Sequence, residues 1–390
     1  MKNVFETLMD LEKQIKALDE FELVSLEYAK GRFLYEDLKA RKDLPSFDNA
    51  ALDGYAFNYA DKDEPLSIKG TIFAGDTHSY ELGKNECYKI MTGAKMPKNA
   101  DTILMLEDEK LQNQKLIISK EIKQNNAHRY RGEELKKDEL ILKKGEYLTA
   151  AKIALLSSQG LYKIKVFRKI KIGIFSSGDE LKEAWEFCSD ENIYNVNALA
   201  LNALFSESNC EVSYLGIIKD DFISTKNSLE KQNFDLLLCS GGASVGEADF
   251  MENALISLEF KALFKGIKAR PARPTKLYEK NEKYVLILPG NPMAAYLACF
   301  IFGLKILRLL CGNSDNELKI FAKMGKTLKL KSGRNNFILG NLKEGLFYPT
   351  NDNRFGSGMI KPLIQSQFLL ISNENQAELK EGEELNLILL

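Results

Sequence analysis

Histidine is almost absent from this chain. Its 390 residues include two, His78 and His128, and a single tryptophan. A Ser/His/Asp triad has too few candidates for its base, and the six cysteines (Cys87, Cys188, Cys210, Cys239, Cys299 and Cys311) form no CxxC pair. The nitrogen and sulfur ligand sets of zinc and iron sites are therefore lacking, and any catalytic metal is expected to be hard and oxygen-bound. Nor do the cysteines have the even spacing of a disulfide framework, so they are expected to be reduced core residues. Cysteine-based nucleophilic catalysis lacks a partner base. Charge of one sign is missing too: Lys plus Arg number 54 against 55 for Asp plus Glu, without the long single-sign tracts of a nucleic-acid or membrane-surface binder. The expected partner is a small molecule, with no nucleic acid and no membrane. Residues 1–8 (MKNVFETL) interrupt their apolar positions with charge before a secretory core forms, and no later apolar run is read as a membrane span. The expected location is the cytoplasm.

What is present is a mixture of periodicities. The length implies two to four domains. Val4, Leu8, Leu11, Ile15 and Leu18 recur at three- and four-residue spacing, which predicts helix through residues 1–40. From Pro45 to about Lys144 short apolar runs alternate with turns at Asp53-Gly54, Ala74-Gly75-Asp76, Thr92-Gly93 and Arg131-Gly132, the pattern of a mainly β module. Residues 149–160 return to helical spacing and end at Gly160. Next comes a repeated strand, turn and helix. KIGIF (171–175), EVSYLGII (211–218), DLLLC (235–239) and YVLIL (284–288) each run into a polar turn, with Asn197 a candidate cap for the helix after the first. Strands alternating with helices, without hairpin turns between them, predict a parallel, doubly wound sheet. After residue 314 the runs shorten again, as in a small β barrel. The expected architecture is multidomain α/β. A helical linking domain comprises 1–44 plus 141–168, and a mainly β module at 45–140 is inserted near the N-terminus. A central doubly wound, mainly parallel sheet follows at 169–314, and a C-terminal β barrel at 315–390.

In such a sheet, ligands bind beyond the carboxyl ends of the strands, and that is where the conspicuous motifs fall. Ser240-Gly241-Gly242-Ala243-Ser244 offers hydroxyls, backbone amides and glycines to a phosphate; an ordinary Gly-rich turn reads equally well. Asp179 and Glu180, Asp220 and Asp221, and Glu247 and Asp249 follow three different strands. Carboxylates converging beside a phosphate point to Mg²⁺, although each acid taken singly reads better as a helix cap. Arg270 and Arg273, on the proline-stiffened RPARP segment, suit an oxyanion or phosphate, with a surface salt-bridge loop as the alternative. Pro289 and Pro292 shape the turn after the last strand. Asp53-Gly54 alone reads as a hairpin turn.

Five motifs in order, DNAALDGYA (48–56), IMTGAKMP (90–97), SSGDEL (176–181), SGGASVGEAD (240–249) and LPGNP (288–292), give the chain a resemblance to the molybdopterin molybdenumtransferase family, the group that includes bacterial MoeA and the gephyrin E domain. The resemblance spans essentially the whole sequence. It implies a homodimer of four-domain subunits and Mg²⁺-dependent insertion of molybdate into adenylylated molybdopterin with release of AMP. It also implies contact with the molybdopterin adenylyltransferase and with apo-molybdoenzymes. By this resemblance Asp53, Glu180 and Asp249 are catalytic. Thr92, Ser240, Gly241, Gly242, Ser244, Arg270, Arg273, Pro289, Pro292, Arg334 and Ser357 bind substrate, with Asp53 and Thr92 reaching across from the β module. Glu180, Asp220, Asp221, Asp249 and Glu134 hold the metal. Departures from the family pattern include Ala50 and Leu52 for Ser and Met, Glu134 for Asp, and Arg-Pro-Ala-Arg-Pro for Lys-Pro-Gly-Lys-Pro. Two other functions fit parts of the pattern: molybdopterin adenylylation, which needs the central domain alone, and a catalytically silent scaffold on the same fold. No residue separates molybdate from tungstate.

Overall fold

A computed structural model describes residues 1–206, 208–231, 233–241, 250–315 and 319–390. It contains two compact units, one of Met1–Glu36, Lys144–Ile153 and Tyr162–Leu390, the other of Asp37–Lys143 and Ala154–Leu161.

The first unit begins with helix α1 (Val4–Gln14), started by a capping box: the Asn3 side chain accepts the Glu6 amide at 2.9 Å, and Glu6 accepts the Asn3 amide at 3.1 Å. The helix expected to run through residue 40 stops at Gln14. Ile15 is extended, and strand β1 (Phe21–Ser25) pairs antiparallel with β2 (Lys163–Phe167). Ile15 and Leu18 remain buried outside the helix, so their apolar spacing recorded burial and not helicity. The pairing is pinned by the buried Arg32, which donates to Glu22 at 3.1 Å and to the Phe167 carbonyl at 2.9 Å.

The central sheet contains β3 (Ile170–Ser177), β4 (Cys210–Ile218), β5 (Leu236–Ser240), β6 (Lys261–Lys265), β7 (Lys276–Lys280) and β8 (Lys283–Leu288) in the spatial order β4-β3-β5-β8-β7-β6. The first four are parallel, and β7 and β6 are antiparallel additions. Successive side chains point to opposite faces, so each strand feeds two cores. Ile172, Ile174, Leu236, Leu238 and Leu286 pack with helices α2 (Val196–Phe205) and α5 (Pro292–Leu310). Phe175, Leu237, Cys239, Val285 and Ile287 pack with α3 (Phe222–Glu230) and α4 (Phe250–Ser257). Apolar residues on both strand faces thus produce the doubly wound arrangement.

Two expectations about this region need correction. A hairpin does occur: β7 turns into β8 through Asn281 and Glu282, with φ of 52° and 63°, the left-handed pair that a two-residue turn requires. Glu is an uncommon residue there and gave no turn signal. Helix α5 is also long and apolar enough to cross a membrane, at 19 residues and mean hydropathy 1.8, but 83% of its apolar window is buried within the fold. It is a core helix whose middle turn, Cys299–Gly303, is π-helical.

Strands Lys319–Met324, Asn335–Lys343, Leu346–Pro349, Phe368–Ile371 and Glu384–Leu389 form a closed barrel, because Asn335–Lys343 pairs with both Leu346–Pro349 and Phe368–Ile371. Met324, Ile338, Phe347, Leu370, Leu385 and Leu387 fill it. Ala269 and Arg270 pair alongside Asn335 and Asn336, tying the arginine loop to the barrel edge.

In the second unit, Gly54–Phe57, Leu66–Ile72, Glu86–Ile90 and Thr102–Met105 join two short strands in a six-stranded sheet. Asp53-Gly54 is not a hairpin turn. Gly54 opens a central strand between Ile90 and Met105, and a Cβ there would lie 2.0 Å from the Leu104 carbonyl oxygen. Close backbone approach, not turn conformation, requires this glycine.

Arg168 clamps the lower edge of the central sheet. Its guanidinium donates to both Asp235 oxygens at 2.7 and 2.9 Å and to Glu20 at 2.6 Å, while Asp235 also accepts the Lys171 amide at 2.7 Å. Because Arg168 and Asp235 are mostly shielded, Asp235→Ala should lower stability by about 3 kcal/mol. Urea unfolding of the first unit's transition measures it, and a loss below about 0.5 kcal/mol would mark the pair as solvated.

Candidate functional site

The chain passes from β3 outward to β4 and then back across to β5 on the other side of β3. That reversal opens a crevice above the carboxyl ends of β3 and β5. A cavity of about 560 Å³ occupies it. Its walls come from the four parallel strand ends.

After β3, Ser177, Gly178 and Glu180 line the cavity, and the Ser177 hydroxyl donates to the Asp220 carboxylate. After β4, Asp220 faces the same space while Asp221 does not. Asp221 is the N-cap of α3, accepting the Ser224 amide at 2.7 Å, and this hydrogen bonding holds its carboxyl below the usual range. Asp179 is exposed and does not line the cavity, its carboxylate 3.5 Å from the Asp220 amide. After β5, Ser240 and Gly241 line the cavity. Gly242, Ser244, Glu247 and Asp249 lie outside the described residues. Gly241 has φ +93°, and a Cβ on it would sit 2.3 Å from the Ser177 carbonyl oxygen. After β8, Pro289 and Pro292 complete the rim.

Helix α2 supplies the remaining wall. Asn195, not Asn197, is its N-cap, accepting the Ala198 amide at 3.4 Å. A capping side chain must reach an amide two or three residues ahead, and Asn197 is already inside the first turn. Asn197 instead donates to the Gly290 carbonyl at 2.9 Å and so braces the turn after β8.

Two further cavities adjoin the first in series. One of about 220 Å³ shares Pro274, Pro289 and Asn291 with it and adds Arg270, Asn336, Asn353 and Ser357. Asn291 bridges them, donating to the Ser357 hydroxyl at 2.9 Å. The other, of about 530 Å³, shares Arg270, Asn336 and Asn353 and is walled by Lys326, Lys329, Lys331 and Arg354. Arg270 and Ser357 therefore line one cavity. Arg273 is exposed and Arg334 half-buried, and neither lines these cavities. The Nε of Arg334 is buried with no partner among the described residues. Asn336, Asn353 and the basic wall were not singled out in the sequence. A signal existed in the spacing of Lys326, Lys329, Lys331 and Arg334 within nine residues.

Among the described residues no three His, Cys, Asp or Glu side chains gather as a metal site. Of the acids with an implied metal role, Glu180 and Asp220 share the large cavity and Asp221 is a cap. Glu134 belongs to the second unit, where it lies 3.5 Å from Arg129. In that unit Asp53 accepts the Thr92 amide at 2.6 Å and the Thr92 hydroxyl at 2.7 Å. The hydroxyl first, then the amide, hold the Asp53 carboxyl below its usual value. Asp48, in the same motif, accepts the Arg131 amide at 2.7 Å, and His128 stacks on Tyr130 with ring centroids 4.2 Å apart.

Comparison with known proteins covers the same regions. Residues 3–160 match the MoeA N-terminal region (domains I and II), 173–308 a probable molybdopterin binding domain, and 322–390 the MoeA C-terminal region (domain IV). A molybdopterin molybdenumtransferase of Haemophilus influenzae is 29% identical over 377 residues, 93% of this chain and 92% of the relative. One from a Nostoc species is 28% identical over 402 residues, covering 99% and 92%. A solved structure of a molybdopterin biosynthesis MoeA protein from Pyrococcus horikoshii is 30% identical and has a TM-score of 0.79 over 99% of this chain and 98% of that one. Three family regions in order and a solved relative matched end to end show that the chain belongs to the MoeA family.

Proposed function

We propose that this protein is a molybdopterin molybdenumtransferase that inserts molybdate into adenylylated molybdopterin and releases AMP. The supporting observation is the compartmented cleft: a large cavity bearing Glu180 and Asp220 and a small one bearing Arg270 and Ser357 share Pro274, Pro289 and Asn291 as a common wall. The large compartment suits a nucleotide-linked pterin and the small one a tetrahedral oxyanion. Bringing a dianion to an anionic dithiolene is opposed by charge repulsion. Arg270 lowers that barrier, because its guanidinium stays charged and offers planar paired donors to the oxyanion, and Lys326, Lys329, Lys331 and Arg354 extend the positive field behind it.

Glu180 and Asp220 fit Mg²⁺, which takes one or two carboxylates and fills its remaining positions with water and phosphate oxygens. Bound there, Mg²⁺ would reduce charge on the phosphoanhydride and polarise it. Ser177 orients the Asp220 carboxylate by its hydrogen bond. Asp53, held ionised by Thr92, supplies a fixed acceptor from the second unit, and Asp249 completes the catalytic set. The same proposal includes a cytoplasmic homodimer in which the second unit of one subunit serves the sheet of its partner, and delivery of cofactor to apo-molybdoenzymes. Adenylylation of molybdopterin would need the sheet alone. The small compartment, built partly from the barrel residues Asn336, Asn353 and Ser357, favours insertion.

Purified protein with adenylylated molybdopterin and Mg²⁺ should release AMP faster when molybdate is present and should reconstitute a molybdenum-dependent apoenzyme. Tight substrate binding without AMP release would establish the scaffold function instead. Arg270→Ala should raise the KM for molybdate about tenfold or more with a smaller change in kcat; an unchanged KM would remove Arg270 from the oxyanion site. Asp53→Ala should abolish turnover in a folded protein. An activity that needs ionised Asp53 is complete above its pKa and falls as pH drops through it. Thr92→Val deletes a donor that stabilises the carboxylate, so the Asp53 pKa rises and the acid limb of the pH–rate profile moves to higher pH. An unmoved limb would show that Asp53 does not set it.

A further inference from the structure

A buried hydrogen-bonded chain leads into the large cavity, and its proton count fixes how one wall residue meets the ligand. The chain starts at α2. The Ala198 amide can only donate, and its acceptor is the Asn195 side-chain oxygen at 3.4 Å, which sets the amide's orientation. The Asn195 nitrogen then donates to the Tyr214 hydroxyl at 2.8 Å, and Tyr214 passes its own proton to the Glu183 carboxylate. Burial and Glu183 both push the Tyr214 phenol above its usual pKa, which keeps that proton in place.

On the other side, the Ser176 hydroxyl lies 2.9 Å from the Asn195 oxygen. That oxygen carries no proton, so Ser176 donates. A serine has one proton to give. Ser176 therefore has none for Ser240, whose hydroxyl is 3.1 Å away, and between two hydroxyls one must donate. The donor is Ser240. Ser176 is fully buried, Ser240 is 2% exposed and Asn195 4%, so bulk water is not at hand to rearrange the chain. The next backbone amide is committed as well, since the Gly241 N–H points to the Leu288 carbonyl at 3.3 Å.

We infer that Ser240 faces the cavity as a hydrogen-bond acceptor and reads an N–H or O–H group of the ligand, instead of donating to a phosphate. This rests on the nucleotide-linked pterin occupying the large cavity. Ribose hydroxyls and the amino and ring N–H groups of a purine or pterin meet the requirement, whereas phosphate oxygens and molybdate do not. Ser240 thus acts as an orientation filter: a donor-bearing ring or sugar is accepted above β5, and the anionic groups are left to Arg270 and to a cation that Glu180 and Asp220 would hold. Asn195 and Ser176 are positioning residues, acting on the ligand only through Ser240.

Calorimetric binding of AMP, adenosine and inorganic pyrophosphate, with and without Mg²⁺, tests this without requiring turnover. Ser240→Ala should weaken AMP and adenosine about tenfold and leave pyrophosphate unchanged. Ser176→Ala deletes the acceptor that takes the Ser240 proton, so it should tighten pyrophosphate severalfold, and this second variant keeps the test open if the first fails to fold. Weaker pyrophosphate binding in Ser240→Ala would show a donor and overturn the inference. So would a loss confined to Mg²⁺-dependent binding, which would make Ser240 a cation ligand, or no change for any probe. If the unaltered protein binds neither AMP nor adenosine, the nucleotide assignment of the cavity fails first and the inference falls with it.

Discussion

The site depends on one close approach. Where β3 and β5 end side by side, the backbone of Gly241 comes so near the Ser177 carbonyl that a Cβ would lie 2.3 Å from its oxygen, with φ of +93°. Any side chain at 241 would push the two strand ends apart. With glycine, Ser176 and Ser240 lie in register on adjacent strands, and their hydroxyls meet at 3.1 Å. The Ser177 hydroxyl, one residue on, holds Asp220 from the next strand. Three parallel strands are thus coupled at their carboxyl ends by polar contacts, above cores that couple them by apolar ones.

Charge is distributed along the cleft in a consistent direction. Carboxylates stand over the sheet, Arg270 stands at the junction, and Lys326, Lys329, Lys331 and Arg354 stand against the barrel. The barrel-side wall also holds Asp352, paired with Lys326, so it is net positive without being of one sign. The proposed reaction would use this separation, with cation-assisted phosphate chemistry over the sheet and oxyanion capture beside the barrel. The turn after β8 joins the two compartments, because Asn197 holds its Gly290 carbonyl from one side and Asn291 holds Ser357 on the other.

Strand ends were legible in the sequence because buried parallel strands read as apolar runs that stop abruptly at polar turns, and the four runs led to Glu180, Asp220, Ser240 and Pro289 in one cavity. Local roles were less legible. Asp220 and Asp221 are adjacent and chemically alike, yet only the backbone direction at the start of α3 decides that Asp221 caps and Asp220 faces the cavity. Asn195 and Asn197 differ in the same way. Helical spacing misled beyond Gln14, since Ile15 and Leu18 satisfy it while being buried outside the helix. The basic wall was only half legible: Lys326, Lys329 and Lys331 cluster in the sequence, but Arg354 joins them from a separate barrel segment that no local pattern announces.

The arginine loop shows how a departure from the family sequence can be absorbed. The usual glycine is Ala272 here, at φ +31° and fully buried against the main core. A left-handed conformation costs a non-glycine residue about 1 kcal/mol or more, and burial of one methyl returns about 0.8 kcal/mol. The exchange is close to balanced in stability, but it removes the freedom that glycine would give. The loop that carries Arg270 is consequently stiffer, and it is fixed again where Ala269 and Arg270 pair with the barrel strand at Asn335 and Asn336. Arginine suits that stiffness, because a planar fork gains most from a backbone that already aims it, whereas the lysine of the usual pattern can reach its anion from a looser one.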